Sequence, residues 1–444
     1  MTAVAAAHAA VPAHAAVAAH AEPLRLPLAH GVGSQHDLPL SPFYAYAGAF
    51  TALLVSFLAL GLLWSSSRFR GDLSGHPLPA ALQRLADAPA TRTALRLLGA
   101  AAAVLFLLHL LLGPDDPDRN PAPGALYVLL WVGLVPASLL LGPVWRLLNP
   151  LRALHALRPP RNPRPLPAAL GIRPAAAGLL LFTWLELVAP DNTSTATLLT
   201  ALAVHTAVQL LGAARYGDRW FAHADPFEVY SSLLARLSPL GRRADGRLVL
   251  RSPFHGLDST PHTPGLVATV CVLLGSTAYD GLSDNPRWIT TLQTSSLGPV
   301  PTATLGLLAA VALAASCYGL CAGALRLMNP ALTTPLTSFA HSLLPIALGY
   351  FVAHYFSLLV TEGPRNVILA GGTDNAPSPA PPLGPGGLAT LQVVAIVTGH
   401  VLGVVAAHDR SVRLFPPARA VAGQLPLFVL MIAYTLGGIG LLIA

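Results

Sequence analysis

Residues Leu336–Glu362 read LTSFAHSLLPIALGYFVAHYFSLLVTE. A helix needs about 20 predominantly apolar residues to cross a bilayer, and this stretch supplies them. It also carries His341, Pro345 and His354. At about 100° per residue, Tyr350, His354, Ser357 and Thr361 fall within about 60° of one another and form one polar stripe on an apolar rod. His341 lies roughly half a turn away from Tyr350, and Pro345 is placed to kink the helix between the two histidines. Ionisable groups at membrane depth face a bundle interior or a wet cavity. The stretch therefore predicts a span with a polar partner.

The rest of the chain agrees with that class. Of 444 residues, 54% are apolar and only 10% are charged, against about 25% charged in soluble domains. The expected fold is all-α, a polytopic transmembrane helical bundle of about ten spans: 43–64, 94–112, 124–148, 168–189, 194–214, 264–281, 302–327, 336–361, 388–409 and 424–444. The net charge of +7 is carried by arginine, with no lysine. It sits in short loops between spans, which gives no reason to expect a nucleic-acid partner; the expected partner is the lipid bilayer. Richness in Arg, Ala, Pro and Gly is the mark of a high-GC bacterial coding bias. Arg68, Arg70, Arg84 and Arg92 follow the first span, Arg152, Arg158, Arg161 and Arg164 the third, and Arg410, Arg413 and Arg419 the ninth. The intervening loops are short or acidic, as in DDPDR at 115–119. The positive-inside rule then predicts a bacterial cell (inner) membrane protein with both termini outside.

Four regions follow. Residues 1–41 form an Ala/His/Pro-rich outside tail of disordered composition, 42–214 a first five-helix half, 215–263 a cytoplasmic insert, and 264–444 a second five-helix half. Within the insert, Asp225 is placed to cap a helix, Pro226 suits its first position, and Phe227, Tyr230, Leu233, Leu234 and Leu237 share one face. That reads as an amphipathic helix on the inner surface or packed on the bundle. The Asp-Gly turn in GRRADGRLVLRSP predicts a hairpin after it. RLLNP at 146–150 and RLMNP at 326–330 end two spans alike, as internal duplication or as a repeated stop signal.

Depth along the spans then selects the polar residues. His109, Glu186, Tyr279, Asp280 and His354 fall in the outer half, His400 about mid-depth, and His30 and His36 just outside. The expectation is one outward-facing cavity in which His354, His400, His109, Glu186, His30 and His36 hold a divalent metal, zinc or copper. Tyr279, Asp280 or Tyr350 would orient a metal-activated water or stabilise charge. The plainer alternative is that each lone histidine bonds a neighbouring helix. No short metal signature such as H-E-x-x-H occurs. Gly399 and Gly403 form a small-residue face for close helix approach beside His400. A bis-histidine haem fits poorly, because His341 and His354 are rotated by about 220° on a helix.

Four stretches, AHGVGSQHDLPLS (29–41), DPFEVYSSLLARLSPLGRRADGRLVLRSP (225–253), GYFVAHYFSLL (349–359) and GHVLGVVAAHDR (399–410), resemble a family of polytopic actinobacterial membrane proteins commonly labelled fenitrothion hydrolase. The resemblance implies membrane-bound hydrolysis of an organophosphate triester, a small-molecule substrate. Two alternatives stay open on the residues themselves. One is a transporter or channel for a metal ion or small solute. The other is a metal-handling assembly factor, with His30 and His36 passing on the ion.

Overall fold

The computed structural model describes residues 42–160, 162–373, 376–416 and 419–443. His30, His36 and the expected tail 1–41 lie outside the described residues. The main helices are α1 (Pro42–Leu63), α2 (Pro89–Leu112), α3 (Ala122–Leu141), α4 (Arg173–Leu187), α5 (Thr195–Tyr216), α6 (Pro226–Leu234), α7 (Leu266–Ser283), α8 (Pro299–Met328), α9 (Leu344–Ala370), α10 (Pro385–Leu414) and α11 (Leu425–Ile443). Among the described residues, nine helices are long and apolar enough to cross a membrane. Helices satisfy their own backbone groups, so such runs can sit in hydrocarbon. The outer faces agree: Leu97, Leu98, Leu105, Leu108, Leu111 and Leu112 of α2 are all exposed.

The expected span 168–189 is the exception, because α4 has only 15 residues, about 22 Å of helix. Pro163, Pro165 and Pro167 lack backbone donors, and they keep the chain out of the helix before it. Gly171 then turns with φ +50°, and a Cβ there would lie 2.1 Å from the Pro264 carbonyl oxygen. The short helix still joins the two ends of the bundle. Ile172 N donates to Pro264 O at 2.8 Å beside the start of α7. At the other end Tyr127 donates to Asn192 O at 2.9 Å, and Thr195 N donates to Asp115 Oδ1 at 2.7 Å.

Three further boundaries differ from expectation. α3 stops at Leu141, where Gly142 takes φ +84°. Pro345 falls in the first turn of α9, after a 3₁₀ turn Ala340–Leu343, so it starts the helix instead of kinking it. α9 runs on through Pro364 to Ala370. Inside α3, residues Ala125–Val132 wind as a wider π-helix, with Gly133 N bonded to Val128 O at 2.9 Å. Such segments re-aim side chains and often lie at functional sites.

α9 and α10 pack backbone to backbone. A Cβ at Gly399 would sit 2.5 Å from Pro345 O, and one at Gly349 2.6 Å from Ala395 O. α6 is buried along nearly its whole length, with Asp225 accepting from Glu228 N at 2.9 Å as its cap. It is wedged against α4, α3 and α9. Arg152 holds it by donating to both carboxylate oxygens of buried Glu228, at 2.8 and 3.1 Å. Burial raises the Glu228 carboxyl above its usual range, and the Arg152 charge opposes that rise. The strands β1 (His76–Pro77), β2 (Leu240–Arg242) and β3 (Leu248–Leu250) form one antiparallel sheet in the order β1-β3-β2. The loop after α1 thereby pairs with the hairpin of the 215–263 segment.

Candidate functional site

Asp280 lies in the last turns of α7, and His354 and Tyr355 lie on α9, which packs against α7. The three side chains meet. His354 Nε2 is 2.8 Å from Asp280 Oδ2, and the Tyr355 hydroxyl donates to the same oxygen at 2.6 Å. Asp280 is 5% and Tyr355 6% exposed. Hydrogen bonds to an ionised carboxylate are short and about twice as strong as neutral ones. The ring of Tyr355 stands edge-on to His354 at 4.8 Å.

A second carboxyl lies in the same region. Glu186, in the last turn of α4, is 7% exposed, and its Oε2 has no hydrogen-bond partner among the described residues. It lies within electrostatic reach of Asp280 and of the phenols of Tyr127, Tyr230 and Tyr355. Tyr127 belongs to the π-helical segment of α3, and Tyr230 to α6. Trp131 stacks on Tyr230 at 4.6 Å and packs edge-on to Phe351 at 5.5 Å. The site is therefore an aspartate contacted by one imidazole and one phenol, with a second carboxyl and two further phenols within electrostatic reach, walled by aromatic side chains.

The other expected site residues lie apart from it. Tyr279, one residue before Asp280, is rotated away and packs edge-on to Trp288 beside Val188 and Leu307. Tyr350 donates from its hydroxyl to Tyr434 O on α11, and its ring meets His400 at 5.5 Å. His400 is fully buried; Nδ1 bonds Ile396 O at 2.9 Å, while Nε2 has no partner among the described residues. His109 is half-buried on α2, which packs on α5 and on the stretch 145–155. Among the described residues, no group of three His, Cys, Asp or Glu side chains is placed to hold a metal ion. Asp280, His354 and Glu186 come together, Tyr350 and His400 form a second pair, and His109 and Tyr279 join neither.

Sequence reasoning missed Tyr355, Tyr127 and Tyr230. A tyrosine on an apolar helix reads as core, yet a buried hydroxyl needs a partner. His408, Asp409 and Arg410, near the end of α10, also take partners far away in the chain. Asp409 accepts from Arg68 N at 2.6 Å and Ser67 Oγ at 2.8 Å, and His408 Nε2 donates to Trp64 O at 2.8 Å. Arg410 pairs with Asp258 at 2.9 Å.

These features define a multi-pass helical membrane protein with an Asp–His–Tyr cluster in which Asp280 and Tyr355 are buried and His354 is half-buried. No family model matches the chain, no curated protein is similar to it, and no solved structure resembles it.

Proposed function

We propose that this protein is a proton-coupled carrier of a small solute or metal ion, with Asp280 and His354 as its proton-exchanging pair. The observation that carries the reading is the 2.8 Å contact between His354 Nε2 and Asp280 Oδ2, inside a bundle and beside the unpartnered Glu186 Oε2. Intramembrane carboxylates and histidines in contact mark proton relays and ion pathways. Transfer of one proton from His354 to Asp280 converts an ion pair into two neutral groups, which changes what holds α7 to α9. Tyr350 and His400 continue the polar series toward the arginine-rich end. Arginine enrichment there supports a cytoplasmic position for that end in a bacterial membrane. The test is reconstitution into liposomes containing a pH-sensitive dye. A solute- or metal-driven proton flux in wild type that is lost in Asp280→Asn supports the carrier, and no flux under any gradient refutes it.

A second reading rests on the same pair. Asp280 engages Nε2 of His354, which leaves Nδ1 as the base for a water molecule, the arrangement of a hydrolase dyad. Together with the family resemblance this supports hydrolysis of a phosphotriester. Turnover of fenitrothion by purified protein that disappears in His354→Gln favours it, and elemental analysis of the same preparation tests its metal-assisted form.

A further inference from the structure

A second polar centre lies at the arginine-rich end, well away from Asp280. A cavity of about 260 Å³ opens between the loop joining α8 to α9, the end of α10 and the stretch before α7. Its polar lining is His262, Asn329, Thr333, Thr334, Ser338 and Arg410, and among the described residues no acidic side chain lines it. Pockets for drug-sized molecules begin at roughly 300 Å³, so this one suits a small group.

Arg410 is the charged member, and it is 7% exposed. Its Nη2 donates to both the carbonyl oxygen and Oδ1 of Asp258 at 2.9 Å. Its Nε has no partner among the described residues. Nη1 faces His262 Nε2 at 3.2 Å. A guanidinium is always protonated and can only donate, so His262 accepts on Nε2 and carries its proton on Nδ1, against Thr337 Oγ1 at 3.1 Å. On the cavity side, then, a neutral imidazole stands where a guanidinium prefers an oxyanion. On the far side, Asp258 is shared with Arg413 at 3.3 Å. The cavity therefore presents a guanidinium paired with Asp258 on its far side only, an imidazole and the hydroxyls of Thr333 and Thr334.

We propose that this cavity binds a phosphate group, either as a free phosphate or as the phosphodiester of a lipid headgroup, with Arg410 as its charge partner and Thr333 and Thr334 as hydroxyl donors; the Ser338 hydroxyl donates to Thr334 O at 2.7 Å. Guanidinium groups match phosphate geometry. An arginine-rich membrane end is also where anionic headgroups collect.

The test has two arms on the full-length protein. Delipidated protein in detergent is titrated calorimetrically with inorganic phosphate. Protein from phosphatidylglycerol nanodiscs is examined by native mass spectrometry for retained lipid. The variants are Arg410→Gln and, since that change could disturb folding, Thr333→Val with Thr334→Val. Phosphate binding weakened ~10-fold or more in both variants, the lower bound for losing a charged hydrogen bond, identifies a free oxyanion site. No phosphate heat, but a phosphatidylglycerol retained by wild type and lost from both variants, identifies a headgroup site. Neither ligand binding, or binding unchanged in the variants, overturns the proposal.

Discussion

Asp280→Asn separates what the cluster contributes to stability from what it contributes to function. Asparagine keeps an oxygen where the Tyr355 hydroxyl and His354 Nε2 converge, now at 2.6 and 2.8 Å from Asp280 Oδ2, but it cannot ionise. Charged hydrogen bonds contribute roughly 1.5–3 kcal/mol in water-soluble proteins and neutral ones about 1. Between helices in a bilayer the measured contributions are smaller, about 0.6 kcal/mol with a maximum near 1.7. The second figure governs here, because α7 and α9 remain membrane-embedded when their contact is broken. Asp280→Asn is therefore expected to cost ~1 kcal/mol in unfolding assays in detergent. Asp280→Ala strands a phenol that is 6% exposed and is expected to cost ~3 kcal/mol, the scale of an unsatisfied buried group. Proton flux behaves differently. On the carrier reading, removing a positioned proton-transfer group lowers rates by ~100-fold or more, so both variants are expected to lose flux alike despite unequal stability. A dye-loaded liposome assay beside a thermal melt reads the two quantities. Near-wild-type flux in Asp280→Asn would refute the role given to this carboxylate.

Burial pushes the Asp225 carboxyl from its ordinary 3.8 up to about 6. A raised folded-state value means that its contribution to stability is fully present below about pH 4 and is lost as pH rises through 6, a change of ~3 kcal/mol. Asp225→Asn should flatten that part of the melting-temperature profile between pH 4 and 7, because asparagine still caps α6. Gly399→Ala drives a methyl toward Pro345 O at 2.5 Å and is expected to cost ~1–3 kcal/mol by overpacking. Gly323→Ala, with open space around it, should instead raise the melting temperature slightly through helix propensity. Asp409→Ala removes the acceptor for Arg68 N and Ser67 Oγ and is expected to cost ~2–4 kcal/mol, with faster proteolysis of the loop after α1.

The spans were legible because each is a long apolar run, and lipid demands such runs one helix at a time. α4 was only half legible: its apolar residues read as a full span, but three prolines and Gly171 shorten it, and local breakers outweigh composition. Gly399 and Gly403 announced the α9–α10 contact by spacing alone. Of the site, His354, Asp280 and Glu186 stood out because ionisable side chains are conspicuous among leucines. Their convergence did not, since it depends on which of the helices touch. Tyr355 was hidden by sitting one residue beyond the polar stripe of α9, on a face that reads as core until Asp280 is placed against it. The burial of α6 had a signal in Glu228 and Ser231, polar groups that lie on a helix later wedged into the bundle. Ser231 Oγ is 2.8 Å from Ser138 Oγ. The Asp409–Arg68 and Asp258–Arg410 contacts had none, because each joins residues more than 100 positions apart.

The packing also says which elements a proton can move. α9 and α10 meet backbone to backbone at Gly349, Gly399 and Gly403, and this close contact is expected to keep them together. α7 is tied to α9 near the Asp280 end through the His354 and Tyr355 contacts. On the carrier reading, protonation of Asp280 removes the charge attraction in that tie while leaving the glycine contact untouched. Spin labels on the exposed ends of α7 and α9 should therefore change separation as the pH is lowered, whereas labels on α9 and α10 should keep theirs. The change between α7 and α9 should vanish in Asp280→Asn, which is permanently neutral. Identical distances for both pairs at every pH would leave the Asp280–His354 contact as a fixed brace and remove the mechanical basis for coupling.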